Sequence, residues 1–190
     1  KNEALNFFNG FTEFGKVKSV EEIKTKKLDS INDLKSPDFL KMDVQGAELS
    51  ILKNGSKKLK DCLAIQLEVS YFQLYENQPT FGEIDVYMRT KGFVPHSFLD
   101  VKKWSINPTI FNNNFRVPGN QLLESDIIYV RDPLRLFELN VSQLKKLAIL
   151  AHYSFKSIDY CTFLLLEMER RNTLPIGSHK IYIEKINEFK

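Results

Sequence analysis

The sequence predicts an α/β fold followed by a helical extension. Residues 39–44 and 63–69 are apolar runs that predict buried strands, and each ends near an acidic residue. One helix is predicted between them and another after Thr80. Strands alternate with helices up to residue 132, as is typical of a sheet covered by helices, and only amphipathic helices follow. We therefore divide the chain into an N-terminal segment (1–26), an α/β domain (27–132) and a helical extension (133–190).

The first third of the chain carries one well-defined unit after two ambiguous stretches. Residues 2–19 contain four phenylalanines without a clear period, which predicts a loop or short helix. Residues 20–31 fit either a helix or an edge strand followed by a helix capped by Asp29. The strand at 39–44 then leads through a tight turn at Gly46 into a helix. We expect that helix to end at Gly55 with a positive φ angle.

The middle of the chain continues the alternation. A loop at 70–79 precedes Thr80 and Glu83, which have the spacing of a capping box, and the helix they begin is expected to end at Gly92. A strand follows at 93–99, at an edge or bulge because it contains Pro95. Residues 103–121 are predicted to be a long irregular loop, and residues 125–131 the last strand. Helices are predicted at 142–152 and 157–171.

Composition excludes several classes of protein. The formal net charge is only +3 and is scattered, whereas nucleic-acid binding usually needs a concentrated basic stripe. No apolar run approaches the roughly 18 residues that a membrane helix needs. The two cysteines, Cys62 and Cys161, are far apart, which favours a reduced, cytoplasmic setting over a disulfide scaffold.

Two acidic residues are the first candidates for a functional site. Asp43 and Glu68 each lie near the end of a predicted buried strand. Ligands of open α/β sheets bind outside the carboxyl ends of the strands. If the two strands are parallel neighbours, both carboxylates lie on the same edge of the sheet. They could act as a base, orient a hydroxyl or hold Mg²⁺. Because no third ligand is evident, we predict no metal site.

Several segments in register resemble the FkbM-type methyltransferases. The central segment consists of Leu40, Lys41, Met42, Asp43, Val44, Gln45, Gly46, Ala47, Glu48 and Leu49, and Leu52, Lys53, Asn54 and Gly55 follow it. Further matching segments are residues 27–30, 65–70, 74–79, 84–85, 91–93, 119–123 and 126–129. The resemblance therefore runs in order over about residues 27–132. Many members of the family carry Glu where this chain has Gln45.

The resemblance implies the C-terminal half of a class I, Rossmann-like methyltransferase sheet. Such enzymes transfer the methyl group of S-adenosylmethionine (SAM) to oxygen, often on sugars or small metabolites. They hold SAM with a glycine-rich turn after their first strand, and the eight glycines here never form that pattern. We therefore expect most of the donor site to lie outside this chain, which would be truncated and inactive alone.

Candidate roles follow from the strand ends. Asp43, Glu68 and Lys41 are predicted catalytic residues, although Lys41 lies on the same strand face as Asp43 and could instead pair with it. The turn of Asp43, Val44, Gln45 and Gly46 is predicted to contact SAM. Glu48, one turn into the helix, is expected to be solvated or favoured by the helix dipole.

The loop after the second strand supplies the candidates for acceptor binding. Tyr71 and Tyr75 lie in that loop, and aromatic residues there either bind substrate or fill the core. We predict a small-molecule or glycan acceptor for these two residues. The alternative function for the chain is a non-catalytic binding or assembly module derived from the methyltransferase fold.

An incomplete parallel sheet would expose an inner edge, and exposed edges pair with other chains. We expect the chain to dimerise through that edge, to swap strands, or to cover the edge with residues 1–26. The helical tail is a second candidate interface for a homo-oligomer.

Overall fold

The computed structural model describes residues 2–188. Its contacts divide the chain into a first unit that ends at Val130 and a second that begins at Arg131. The first unit contains a four-stranded sheet with helices, and the second contains helices. The predicted class, an α/β fold with a helical C-terminal part, is confirmed.

The sheet has the strand order β1-β2-β4-β3. Its strands are β1 (Phe39–Met42), β2 (Ala64–Ser70), β3 (Phe93–Trp104) and β4 (Gln121–Arg131). Strands β1 and β2 are parallel, with Met42 opposite Leu67, whereas β2 and β4 are antiparallel. The predicted parallel pair is therefore present, and the carboxyl ends of β1 and β2 lie at one edge of the sheet.

Two helices cover one face of the sheet. Helix α3 (Glu48–Asn54) connects β1 to β2, and α4 (Phe81–Thr90) follows β2. The core against them combines strand and helix residues: Met42, Leu52, Leu59, Cys62, Ile65, Leu67, Val69, Ile84, Met88, Phe93, Ile127 and Tyr129. The predicted capping box of α4 is confirmed, because Glu83 accepts from the Thr80 backbone N–H at 2.8 Å.

The predicted end of α3 at Gly55 is confirmed, but the positive φ angle predicted for this glycine is wrong. Gly55 does end α3, but its φ angle is −116° and lies outside the left-handed region. A Cβ atom at this position would lie 2.5 Å from Cδ2 of Leu28. Close packing of Leu28 against the helix end, rather than backbone conformation, therefore favours glycine there.

Strands β3 and β4 are both longer than predicted. β3 continues beyond residue 99 to Trp104, and β4 begins at Gln121 rather than Ser125. Five of the last six residues of β3 are exposed, so no alternation of apolar residues marks this part of the strand. It is an end strand of the sheet and, within residues 2–188, has a strand neighbour on one side only.

The first part of the N-terminal segment forms two short helices, which agrees with the short helix predicted as one alternative for residues 2–19. These are α1 (Asn2–Phe7) and α2 (Phe11–Phe14). Phe8 and Phe11 pack with Leu123 and Trp104, and the Trp104 indole N–H donates to the Asn9 carbonyl at 2.9 Å. Among residues 2–188 only β2 pairs with β1, so residues 2–26 add no strand to the other side of β1.

The second unit contains α5 (Val141–Tyr153), α6 (Ile158–Arg170) and α7 (Ser178–Glu188). The first two match the predicted helices. The third escaped prediction because none of its described residues is buried, which leaves no strong apolar period. Glu169 caps the start of α7 by accepting from the backbone N–H groups of Gly177 and His179.

Two absences are clear within the described part of the chain. No helix there is long and apolar enough to cross a membrane. Cys62 and Cys161 are both free thiols and both are buried.

Candidate active site at the ends of strands β1 and β2

The structure places Asp43 and Glu68 close together at the carboxyl ends of the parallel strands β1 and β2. Asp43 immediately follows β1, and Glu68 lies near the end of the parallel neighbour β2. Asp43 is exposed, whereas Glu68 is only 7% exposed. One carboxylate is therefore open to solvent, and the other is largely withdrawn from it.

A single amide joins the two carboxylates. Nε2 of Gln45 donates to Oδ1 of Asp43 and to Oε2 of Glu68, both at 2.9 Å. Oε1 of Gln45 accepts from the Tyr75 hydroxyl at 3.3 Å, and this set of partners assigns the amide orientation. Gln45 has a positive φ of 53°, a conformation uncommon for a residue other than glycine.

Glu48 closes the turn that carries Gln45. Its carboxylate accepts from the Val44 backbone N–H at 3.1 Å and from the Gly46 backbone N–H at 2.9 Å. Glu48 is only 3% exposed, so the expectation of a solvated side chain is wrong. Gly46 has a φ of 107°, which favours glycine, and the predicted tight turn is present. The buried carboxylate fixes the path that presents Asp43 and Gln45.

Glu68 has acidic and basic neighbours on two other strands. Lys102 on β3 lies 3.3 Å from Oε1 of Glu68 and 2.6 Å from Oε1 of Glu124 on β4. Burial, then the charges of Glu124 and Asp43, raise the pKa of Glu68 to about 7, against the opposing effect of Lys102. A base with a pKa near the working pH is well suited to accept a proton.

This pKa has a consequence for stability. The pKa of Glu68 lies at about 7 in the folded protein, above its ordinary value of 4.5. Its stabilising contribution is therefore fully present below pH 4.5 and is lost as the pH rises through 7. We expect the free energy of unfolding of Glu68→Gln, relative to wild type, to increase by about 3 kcal/mol between pH 4 and pH 8. Urea unfolding across this range measures it, and a constant difference would contradict it.

The two predicted acceptor-binding tyrosines have different surroundings. Tyr75 is 46% exposed and its hydroxyl contacts Gln45. Burial, then the charges of Glu124 and Glu68, raise the pKa of Tyr75. Tyr71 instead donates to the Ser125 hydroxyl at 3.0 Å, and its ring packs against Phe81. Tyr75 thus belongs to the carboxylate cluster, and Tyr71 holds the loop to β4.

Gln78 organises the loop from within. It is 5% exposed, and its Oε1 accepts from the backbone N–H groups of Leu74 at 2.7 Å and Tyr75 at 3.2 Å. Its Nε2 donates to the Ser70 hydroxyl at the end of β2, at 2.6 Å. These bonds tie the backbone of Tyr75 to the strand that carries Glu68.

The other predicted site residues lie on the exposed surface nearby. Lys41 is exposed and, within residues 2–188, forms no ion pair with Asp43, so the suggested pairing of these two residues is wrong. Val44 is 40% exposed next to Asp43. Across the described chain, no three His, Cys, Asp or Glu side chains are grouped so as to hold a metal ion.

Sequence reasoning missed Glu48, Lys102, Glu124 and Gln78. The first has a signal, because a carboxylate two residues after a glycine turn can accept from its N–H groups. Lys102 lies on β3 but falls between the predicted strand, which ends at residue 99, and the predicted loop, which begins at residue 103. Glu124 likewise lies just before the predicted start of β4.

The fold and this site define an α/β protein with candidate functional side chains at the carboxyl ends of two parallel strands, the position where open α/β sheets bind ligands. Residues 2–95 match the family model described as the methyltransferase FkbM domain. Residues 2–95 therefore form a domain of the FkbM methyltransferase family, as the resemblance indicates. The match includes Asp43, Gln45, Glu48 and Glu68 and ends before Lys102. No curated protein and no solved structure gives a significant match to the chain.

Proposed function

We propose that this protein takes part in SAM-dependent transfer of a methyl group to a hydroxyl of a sugar or small metabolite. The match of residues 2–95 to the FkbM methyltransferase domain supports this proposal. The observation that carries the proposal is the Gln45 amide, which holds the Asp43 and Glu68 carboxylates together beside the exposed Tyr75.

Each side chain of the cluster has a role in this proposal. Glu68 would accept the proton that the acceptor hydroxyl loses as its oxygen bonds to the methyl carbon, while the bond from that carbon to the donor sulfur breaks and the sulfur leaves as a neutral thioether. Asp43 accepts a hydrogen bond from the acceptor and orients it, and Tyr75 packs against it. Positioning of reacting groups in enzymes contributes about 7–11 kcal/mol, and a placed base about 10²–10⁴-fold in rate.

The donor, when bound, supplies an electrophilic methyl group on a positively charged sulfur. Asp43, Val44, Gln45 and Gly46 would contact it in our proposal. The observations that favour this are the exposed carboxylate of Asp43, which complements a positive charge, and the exposed apolar side chain of Val44 beside it. Lys41, an exposed cation on β1, is the remaining candidate for a catalytic role.

We further propose that other polypeptide completes the donor pocket. The chain has no glycine-rich donor motif, and within residues 2–188 strand β1 has a neighbour on one side only. A glycine-rich βα segment of the donor-binding half is the occupant that we propose for the other side of β1. The same two observations favour the alternative function, a non-catalytic binding or assembly module that self-associates through this edge or through the helical unit.

Calorimetric titration with SAM tests the proposal. It is performed on this chain and on the chain joined to any in-frame upstream coding sequence of its gene. We expect binding by the longer protein, weakened by Asp43→Asn, and none by residues 1–190 alone. Binding by residues 1–190 alone would overturn the view that the donor site lies elsewhere. Absence of binding by both proteins would overturn the methyltransferase proposal and support the assembly module.

A further inference from the structure

We propose that Lys102 and Glu124 are positioning residues that control the proton-accepting state of Glu68. In this arrangement one lysine is shared by two carboxylates and is held mainly by Glu124. The inference deepens the proposed function and rests on it, because it treats Glu68 as the base. Neither Lys102 nor Glu124 lies in the part of the chain that the family model matches.

Three strands are needed to build this arrangement. Glu68 is on β2, Glu124 on β4 and Lys102 on β3. In the antiparallel pair of β2 and β4, Glu68 lies opposite Asp126 and Ser70 lies opposite Glu124. Glu124 is therefore a diagonal neighbour of Glu68 on the same face of the sheet.

The distances show how the lysine divides its contacts. Nζ of Lys102 is 2.6 Å from Glu124 and 3.3 Å from Glu68. The Lys102 side chain is 44% exposed, whereas those of Glu68 and Glu124 are 8% and 16% exposed. A long, partly solvated side chain thus reaches two largely buried carboxylates and contacts Glu124 more closely.

Because Lys102 contacts Glu124 more closely than Glu68, the negative charge of an ionised Glu68 is only partly neutralised. The charged and titratable groups that surround it are Asp43 after β1, Glu124 and Asp126 on β4, Lys102 on β3, and Tyr75 in the loop. Burial disfavours the ionised form of Glu68, and Glu124 and Asp43 oppose it further. When Glu68 takes the proton of an acceptor hydroxyl, Lys102 still has Glu124 as its partner. Proton transfer therefore leaves no unpaired cation in the cluster.

Changes at the two positions should act on Glu68 in opposite directions. Glu124→Gln removes a repulsive charge and releases Lys102 to Glu68, which favours the ionised carboxylate. Lys102→Met removes the only cation within contact distance of Glu68 among residues 2–188, which favours the neutral acid. A merely structural role would not give opposite signs.

The test is a ¹³C NMR titration of the Glu68 carboxyl group in the full chain, with the resonance assigned by its loss in Glu68→Gln. We expect Glu124→Gln to lower the titration midpoint by about one pH unit and Lys102→Met to raise it by a similar amount. Lys102→Arg, which keeps the cation, should shift the midpoint less than Lys102→Met does. Asp61→Asn, at the other end of β2, is the matched control and should not shift it.

Opposite shifts support the proposal, whereas shifts of the same sign, or none in folded variants, overturn it. Circular dichroism checks that each variant is folded. If Lys102→Met does not fold, Lys102→Gln is used in its place. The titration needs no methyl acceptor, so its failure is distinct from failure of the proposed function. The latter is tested separately by the effect of Glu68→Gln on methyl transfer.

Discussion

Glu68→Gln is expected to lower kcat for methyl transfer by about 10²–10⁴-fold, the range that a positioned base contributes. Glutamine keeps the size of the side chain and can still bond to Gln45, but it cannot accept the proton of the acceptor hydroxyl. The measurement is transfer of a labelled methyl group from SAM to a panel of monosaccharides and polyols. It uses the longest in-frame protein that binds SAM.

The pH profile strengthens this prediction. Wild-type kcat should rise with pH through about 7, as Glu68 loses its proton, and the residual activity of Glu68→Gln should lack that step. Asp61→Asn serves as the control because Asp61 is exposed at the opposite end of β2. Activity of Glu68→Gln within threefold of wild type would rule out Glu68 as the base.

Glu48→Ala is expected to lower the free energy of unfolding of the first unit by about 2–4 kcal/mol. Hydrogen bonds to charged groups contribute about 1.5–3 kcal/mol each, and the Glu48 carboxylate accepts two from the backbone. Part of their sum is offset because alanine also removes the cost of burying the carboxylate. Alanine leaves the Val44 and Gly46 N–H groups without this partner in a turn that also holds Gln45 at positive φ. The turn should loosen, and Asp43 should lose its fixed position.

Urea unfolding followed by fluorescence of Trp104, the single tryptophan, measures this loss. Glu48→Gln should fall between wild type and Glu48→Ala, because its amide retains one acceptor oxygen. Ser50→Ala, an exposed change on the same helix, should stay within about 0.5 kcal/mol of wild type. A loss below 1 kcal/mol in Glu48→Ala would mean that the turn is held by other contacts.

Local chemistry made much of the fold predictable. The apolar runs of β1 and β2, the capping box of Thr80 and Glu83, and the periodic leucines of α5 and α6 depend on nearest neighbours along the chain. Prediction failed where the determinant is distant. Glycine at position 55 is favoured by the close approach of Leu28, which is 27 residues away in sequence, and the end of β3 carries mostly exposed residues.

The candidate site divides in the same way. The sequence by itself determined that Asp43 and Glu68 lie near the ends of two strands, because strand ends follow from local patterns. Only the tertiary structure decided that Gln45 joins them, that Glu48 is buried, and that Lys102 and Glu124 lie against Glu68. The physical reason is that burial and charge compensation depend on distances between strands, which the order of residues along one strand does not specify.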